Sequence, residues 1–197
     1  MKKLLAVALG ALAISATANA NWYVQGDLGY SNVRFSGDGD TDNKRVFTPS
    51  IAVGYKFADW RLALDYTHFG TMKWNDSWTD NGVSYEDEWK LKIRSFGFSA
   101  LYDFNLNSPI TPYVGAKLTL NYLNGKGHEL NQTSAGITSS YDSRKSTKVG
   151  AGVLAGVSYK LTQDLYLNAN VEYNYLGKDD EDNIHQYGAK VGLRYEF

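Results

Sequence analysis

Three histidines, His68, His128 and His185, are the imidazoles of a 197-residue chain that has no cysteine. Without a thiol there is no disulfide framework and no thiolate metal site. The nucleophilic arrangement left to weigh is a Ser–His–carboxylate set. Ser77 and Ser84 share one polar stretch, and His185 follows Asp179, Asp180, Glu181 and Asp182. Such a set is defined by hydrogen-bond reach between its members, not by composition. Serines and acids are so common here that solvated histidines are the plainer reading. The chain is therefore read as a non-enzyme with no catalytic residue, no cofactor and no metal. The alternation of Asp38, Asp40 and Asp42 starts like a calcium loop but lacks the rest of one.

A second set of charged residues sits between apolar neighbours at two-residue spacing: Asp27, Lys56, Arg61, Asp65, Lys117, Glu172, Lys190, Arg194 and Glu196, with Gln25 and Asn121 among them. A period of two is that of a strand with one apolar and one polar face. The stretch 184–197 shows it best, with Tyr187, Ala189, Val191, Leu193, Tyr195 and Phe197 opposite Gly188, Lys190, Gly192, Arg194 and Glu196. The same alternation predicts eight strands, at 22–35, 46–57, 60–69, 89–104, 112–122, 148–161, 165–176 and 184–197. In the fourth, the apolar set changes parity. It is Phe96, Phe98, Ala100, Tyr102 and Phe104 on one side of Arg94, and Trp89, Leu91 and Ile93 on the other. Either a bulge lies at 94–95 or the strand leaves a membrane there. A tilted membrane strand needs only about 9–11 residues, which favours the second.

The connections alternate. Short turns follow the second, fourth and sixth strands, and longer polar stretches fall at 36–45, 70–88, 123–147 and 177–183. Aromatics gather at strand ends: Trp22, Phe57, Trp60, Tyr102, Phe104, Tyr159, Tyr195 and Phe197. The composition suits strands, with 15 Tyr, 5 Trp, 8 Phe and 19 Gly against 3 Pro. These features predict an all-β chain, an eight-stranded antiparallel transmembrane β-barrel of the outer-membrane type with four extracellular loops. A soluble barrel would turn its apolar face inward. Charges on the polar face of most strands, and a final strand ending on an aromatic, favour the membrane form. Lys2 and Lys3, an apolar run at 4–14 and Ala18-Asn19-Ala20 read as a cleaved signal peptide, residues 1–20, ahead of a barrel at 21–197. Its removal takes the formal charge from −1 to −3, and the alternation of long outer and short periplasmic connections over an even number of strands predicts both mature termini on the periplasmic side. That charge gives no reason to expect nucleic acid as a partner.

An eight-stranded barrel is only wide enough for its own side chains. Acids and bases mixed on its inner face must pair. The lumenal set therefore reads as a salt-bridged plug that fixes strand register. A narrow ion pore lined by the same groups is the alternative, and the small diameter favours the plug.

Six blocks carry a family resemblance: FTPSIAVGYKF at 47–57, RLALDYT at 61–67, ALYDF at 100–104, SPITPYVGAKL at 108–118, GVLAGVSY at 152–159 and YNYLGK at 173–178. In this order and spacing they resemble the opacity family of outer-membrane β-barrels. The resemblance implies an eight-stranded barrel whose surface loops contact host or lipid ligands. It also implies that the outer-membrane assembly machinery recognises the closing strand. The resemblance does not extend into the loops.

Within the loops, Trp74, Trp78, Tyr85 and Trp89 cluster in one stretch. Exposed aromatics mark binding surfaces; packing on neighbouring loops or on the membrane rim is the alternative. Loops one, two and four are acidic. The third is basic, with Lys126, Arg144, Lys145 and Lys148 against Glu129 and Asp142, and suits lipopolysaccharide phosphates or sulfated host glycans. The expected protein is a monomeric outer-membrane surface protein, an adhesin or ligand-binding protein acting through its loops. A small porin and a purely structural barrel are the alternatives. Its expected partners are outer-membrane lipid and lipopolysaccharide, the assembly machinery, and a host-cell receptor or glycan.

Overall fold

The structure, a computed structural model, describes residues 21–36, 41–80, 83–133, 136–179 and 182–197. The expected signal segment, Asp38, Asp40, Asp180 and Glu181 lie outside them. The strands are β1 (Trp22–Ser36), β2 (Thr41–Phe47), β3 (Ser50–Phe57), β4 (Trp60–Asp80), β5 (Val83–Asp103), β6 (Ile110–Thr133), β7 (Gly136–Lys160), β8 (Leu165–Asp179) and β9 (Asp182–Glu196). All pairings are antiparallel, and β9 returns to β1 to close the sheet. One half of β1 pairs with β3 and the other with β2, so β2 and β3 form a single stave broken at Thr48-Pro49. Proline has no N–H to donate, and the Thr48 N–H holds the break to β1 by donating to the Gly29 carbonyl at 2.8 Å. The barrel thus has eight staves and no free edge, the condition for crossing lipid with strands.

The ends of the barrel differ. At the turn end, β3 meets β4 through Ala58-Asp59, with Ala58 in the left-handed region at φ 52°. At the other end the stretches expected as loops are mostly strand. β4 and β5 stay paired out to Asp80–Val83, and β6 and β7 out to Thr133–Gly136. Strand also occupies much of 36–45 and 177–183, as β2 and the ends of β8 and β9. Polarity on both faces had suggested loops. A ladder in water tolerates polar residues on both faces and still satisfies its backbone groups. Two irregularities interrupt the register, between His68 and Thr71 and between Tyr175 and Gly177. Gly70 and Gly177 sit there at φ 64° and 116°, which a side chain would strain.

Across an aromatic row that includes Tyr30, Phe47, Tyr66, Phe96, Tyr122, Tyr173 and Tyr187, the faces exchange character. On the turn-end side, apolar groups such as Leu28, Leu64, Phe98, Leu118, Val153, Val171 and Val191 point outward and are exposed. Polar groups including Asp27, Arg61, Lys117, Glu172, Lys190 and Arg194 point inward and are buried. On the hairpin side, Val33, Val46, Phe69, Met72, Leu91, Ile93, Leu123, Leu176 and Ile184 form a buried inward cluster. The outward positions there carry Arg34, Arg45, Lys92, Arg94 and Lys126, all exposed. The β5–β6 register runs through Arg94 without a shift. The parity change in the fourth predicted strand is thus no bulge. The pleat continues while its surroundings exchange.

Candidate functional site

The lumen is filled in layers. Nearest the turn end, Arg61 and Asp103, both 1% exposed, form an ion pair on two adjacent staves. Nε and Nη2 of Arg61 donate to Oδ1 of Asp103 at 2.9 and 2.7 Å. The guanidinium lies 4.5 Å from the Tyr113 ring centre. Arg194 rests on Tyr166 at 4.6 Å and Tyr23 at 5.6 Å, with its Nη2 3.1 Å from Glu196. Lys56, the most accessible of the set, lies 4.0 Å from Asp103 and 3.9 Å from Glu196. Tyr23 stands opposite Gly54 and Tyr113 opposite Gly156. A Cβ on either glycine would come within 2.6 Å of the facing ring, so these rings need bare backbone beside them.

The next layer pairs Lys117 with Asp65 at 2.8 Å and Lys190 with Glu172 at 3.1 Å. Asp27 accepts from Gln25 at 2.8 Å and Ser50 at 3.3 Å. Above it lies a neutral layer. Gln186 donates to Ser31 at 2.8 Å and to Glu172 at 3.0 Å. The Asn121 side chain donates to Thr119 and to the Leu176 carbonyl. The apolar cluster then closes the hairpin end. Between the first layers a cavity of about 60 Å³ is lined by Tyr23, Asp27, Arg61, Asp65, Tyr113 and Lys190 among others. That is room for a few waters. All nine charges singled out from the sequence face this interior. Asp103, the partner of the most buried arginine, was missed. It belongs to the inward parity of β5, opposite Tyr102 and Phe104, and could have been found there.

The surface candidates divide differently. Trp74 is no free binding residue. It packs edge-to-face on Phe35 at 5.8 Å, against the apolar cluster, lies under Lys44 at 4.8 Å, and donates its indole N–H to Asp42. The strand spacing that sets Trp74 and Trp89 opposite each other turns both toward the barrel axis. Trp89 is 37% exposed and covers Gly125 and Gly127. Trp78 pairs with Tyr85 in the ladder, and their side chains lie outside the described set. Arg144 and Lys145 are exposed on β7, whereas Lys148 is half-buried where its stem covers Gly177. The histidines occupy three different staves. His68 pairs with Arg94 across the ladder, His128 stacks on Tyr141 at 4.3 Å, and His185 Nδ1 is 2.8 Å from the Tyr173 hydroxyl.

With this geometry in hand, comparison with known proteins gives one consistent result. Residues 53–197 match the family described as Opacity family porin protein. A Haemophilus influenzae protein is 38% identical over 202 aligned positions that take in the whole of both chains. Protein opa of the same organism is 39% identical over 74% of this chain and 100% of its own. Among solved structures, neisserial surface protein A superposes with a TM-score of 0.61 at 31% identity, over 90% of this chain and 98% of that one.

Proposed function

The chain belongs to the opacity family of outer-membrane β-barrels, and from that premise we propose that it is a cell-surface binding protein, an adhesin, acting through its hairpins. In this reading the hairpin end faces outward and the turn end, with the first residues of β1 and the last of β9, faces the periplasm. The observation that carries the proposal is the closed interior. Ion pairs, an amide layer and a nine-residue apolar cluster fill the lumen in succession. A conducting path would have to cross the ion pairs and the amide layer, and the apolar cluster flanks it on every stave but that of β7. What the barrel holds up instead is a pair of hairpins, β4–β5 and β6–β7, built from strands of 21 to 25 residues where a span needs about ten. Long ladders of this kind present side chains on a stiff ribbon. Little ordering entropy is then lost on contact with a host receptor or glycan.

The test is to replace residues 75–88 with a two-residue Asn-Gly turn, which keeps the Trp74–Trp89 pair. The shortened protein folds, shown by heat-modifiable gel mobility, and bacteria carrying it adhere to epithelial cells roughly 10-fold less or worse. Undiminished adhesion after the same cut in both hairpins would sink the adhesin reading. Steady single-channel conductance from the purified wild type in planar bilayers would replace it with a pore.

A further inference from the structure

The outward face of β4, β5, β6 and β7 reads row by row across the ladder. Beyond the Tyr66–Phe96 row comes His68, Arg94, Tyr122 and Thr147. Then follow Thr71, Lys92, Asn124 and Lys145, and then Lys73, Lys90, Lys126 and Ser143. Three rows on four adjacent strands cover about 13 by 14 Å. Six cations stand on them: Lys73, Lys90, Lys92, Arg94, Lys126 and Lys145. All are exposed but Lys90, which is half-buried. Among the described side chains one carboxylate shares this face, Glu88, and it is committed to Lys90 at 2.6 Å. Among the described residues no carboxylate forms an ion pair with Lys73, Lys92, Arg94, Lys126 or Lys145. Like charges directly opposite in a ladder, such as Lys73, Lys90 and Lys126, are destabilising. The Lys90 hydrogen bond foremost, with the charges of Lys90 and Lys73, holds the Glu88 carboxyl below its usual range.

We propose that this array is a binding site for the phosphate groups of a multiply acylated, phosphorylated glycolipid, the lipid A part of lipopolysaccharide in the surrounding leaflet. Continuity decides between this and a soluble polyanion. The cation rows follow directly on exposed apolar side chains of the same strands and the same face: Leu64, Phe96, Phe98, Leu118 and Leu120. Phe96 meets Tyr66 at 5.1 Å and Tyr122 at 5.8 Å, so an aromatic shelf separates the two zones. An amphiphile lays its chains below that shelf and its phosphates on the cations above it. A sulfated glycan would use only the upper half. The site rests on the outward orientation proposed above.

The chain has no cysteine, so Tyr141→Cys, on an exposed residue of the same face, tests that orientation alone. A membrane-impermeant maleimide should label it on intact cells. Labelling only after permeabilisation would overturn the orientation whatever the lipid result. The site itself is tested on purified barrel by native mass spectrometry with bisphosphorylated lipid A, the same lipid A after phosphatase treatment, and heparin. The Lys92→Gln/Arg94→Gln/Lys126→Gln variant should bind the bisphosphorylated lipid on the order of 100-fold more weakly. A control, Arg34→Gln/Arg45→Gln/Lys178→Gln, removes three exposed cations from the opposite staves and should bind like wild type. Equal binding by the two triples would overturn the site, as would wild-type binding that survives dephosphorylation, a measurement that needs no variant. Heparin held through the array with no lipid A bound would assign it to a glycan instead.

Discussion

Arg61 is one of the largest fully buried side chains among the described residues. A buried guanidinium needs a charge partner and donors satisfied in its plane. Asp103 supplies the first from the adjacent stave, and the Tyr113 face covers the ring. Removing one member of such a pair leaves the other uncompensated, which typically costs about 3–5 kcal/mol. Asp103→Asn should therefore lower stability by about 3 kcal/mol, softened somewhat by water reaching Lys56. Arg61→Leu/Asp103→Leu, which removes both charges, should cost less than the single change. Urea titration of folded barrel in lipid vesicles reads both numbers. A single variant within 1 kcal/mol of wild type would show that the pair is already solvated and that the plug is looser than its geometry indicates.

At the scale of the strand, the alternation fixed which residues face inward, because a period of two leaves no freedom once one face meets lipid. Residues 165–176 and 184–197 were legible for that reason. The hairpins were not, because in water neither face is required to be apolar and the pattern fades. One signal did survive there. Trp89, Leu91 and Ile93 are apolar on the inward parity, and in the structure Leu91 and Ile93 join Met72 and Phe69 in the cluster that holds both hairpins over the lumen. For Trp74 the spacing leaves binding and packing both open, and in the structure it packs on Phe35 of β1 and Lys44 of β2. Ile93 is fully buried in that cluster. Ile93→Ala should remove roughly 2–5 kcal/mol of local packing. Since the loss falls above the aromatic row, the barrel below stays folded while the hairpins open more often. Limited proteolysis of intact cells checks this: cleavage within 71–92 or 123–147 should speed up while heat-modifiable mobility is kept. An unchanged cleavage rate would mean the hairpins stand without the cluster.

For the whole molecule, the exchange of faces across the Tyr30, Phe47, Tyr66, Phe96, Tyr122, Tyr173 and Tyr187 row says where lipid stops. Below it the outward groups are apolar and the inward ones mostly polar, with Tyr23, Ala63, Leu101 and Tyr113 as a small apolar cluster among them; above it both relations reverse on most staves. β7 departs, since Lys148, Ser146 and Arg144 continue its inward parity with polar groups. That places the unbroken apolar seal on the other staves and leaves one polar seam. The boundary makes a quantitative demand. A lysine placed outward at mid-band, as in Leu64→Lys or Phe98→Lys, must put a charge in hydrocarbon, at about 2–4 kcal/mol. The same residue placed outward above the row, as in Thr71→Lys or Thr147→Lys, meets headgroups and water and should cost 1 kcal/mol or less, about the value near an interface. The two pairs share chemistry, fold and face and differ in which side of the aromatic row they occupy; Thr71→Lys also comes to face Lys92, a like-charge term of about 1 kcal/mol or less. Vesicle refolding titrations of the four variants should therefore split into two groups. If Thr147→Lys proved as costly as Leu64→Lys, the hydrocarbon would extend past the aromatic row. The cation rows would then be buried in lipid and could not serve as a headgroup site.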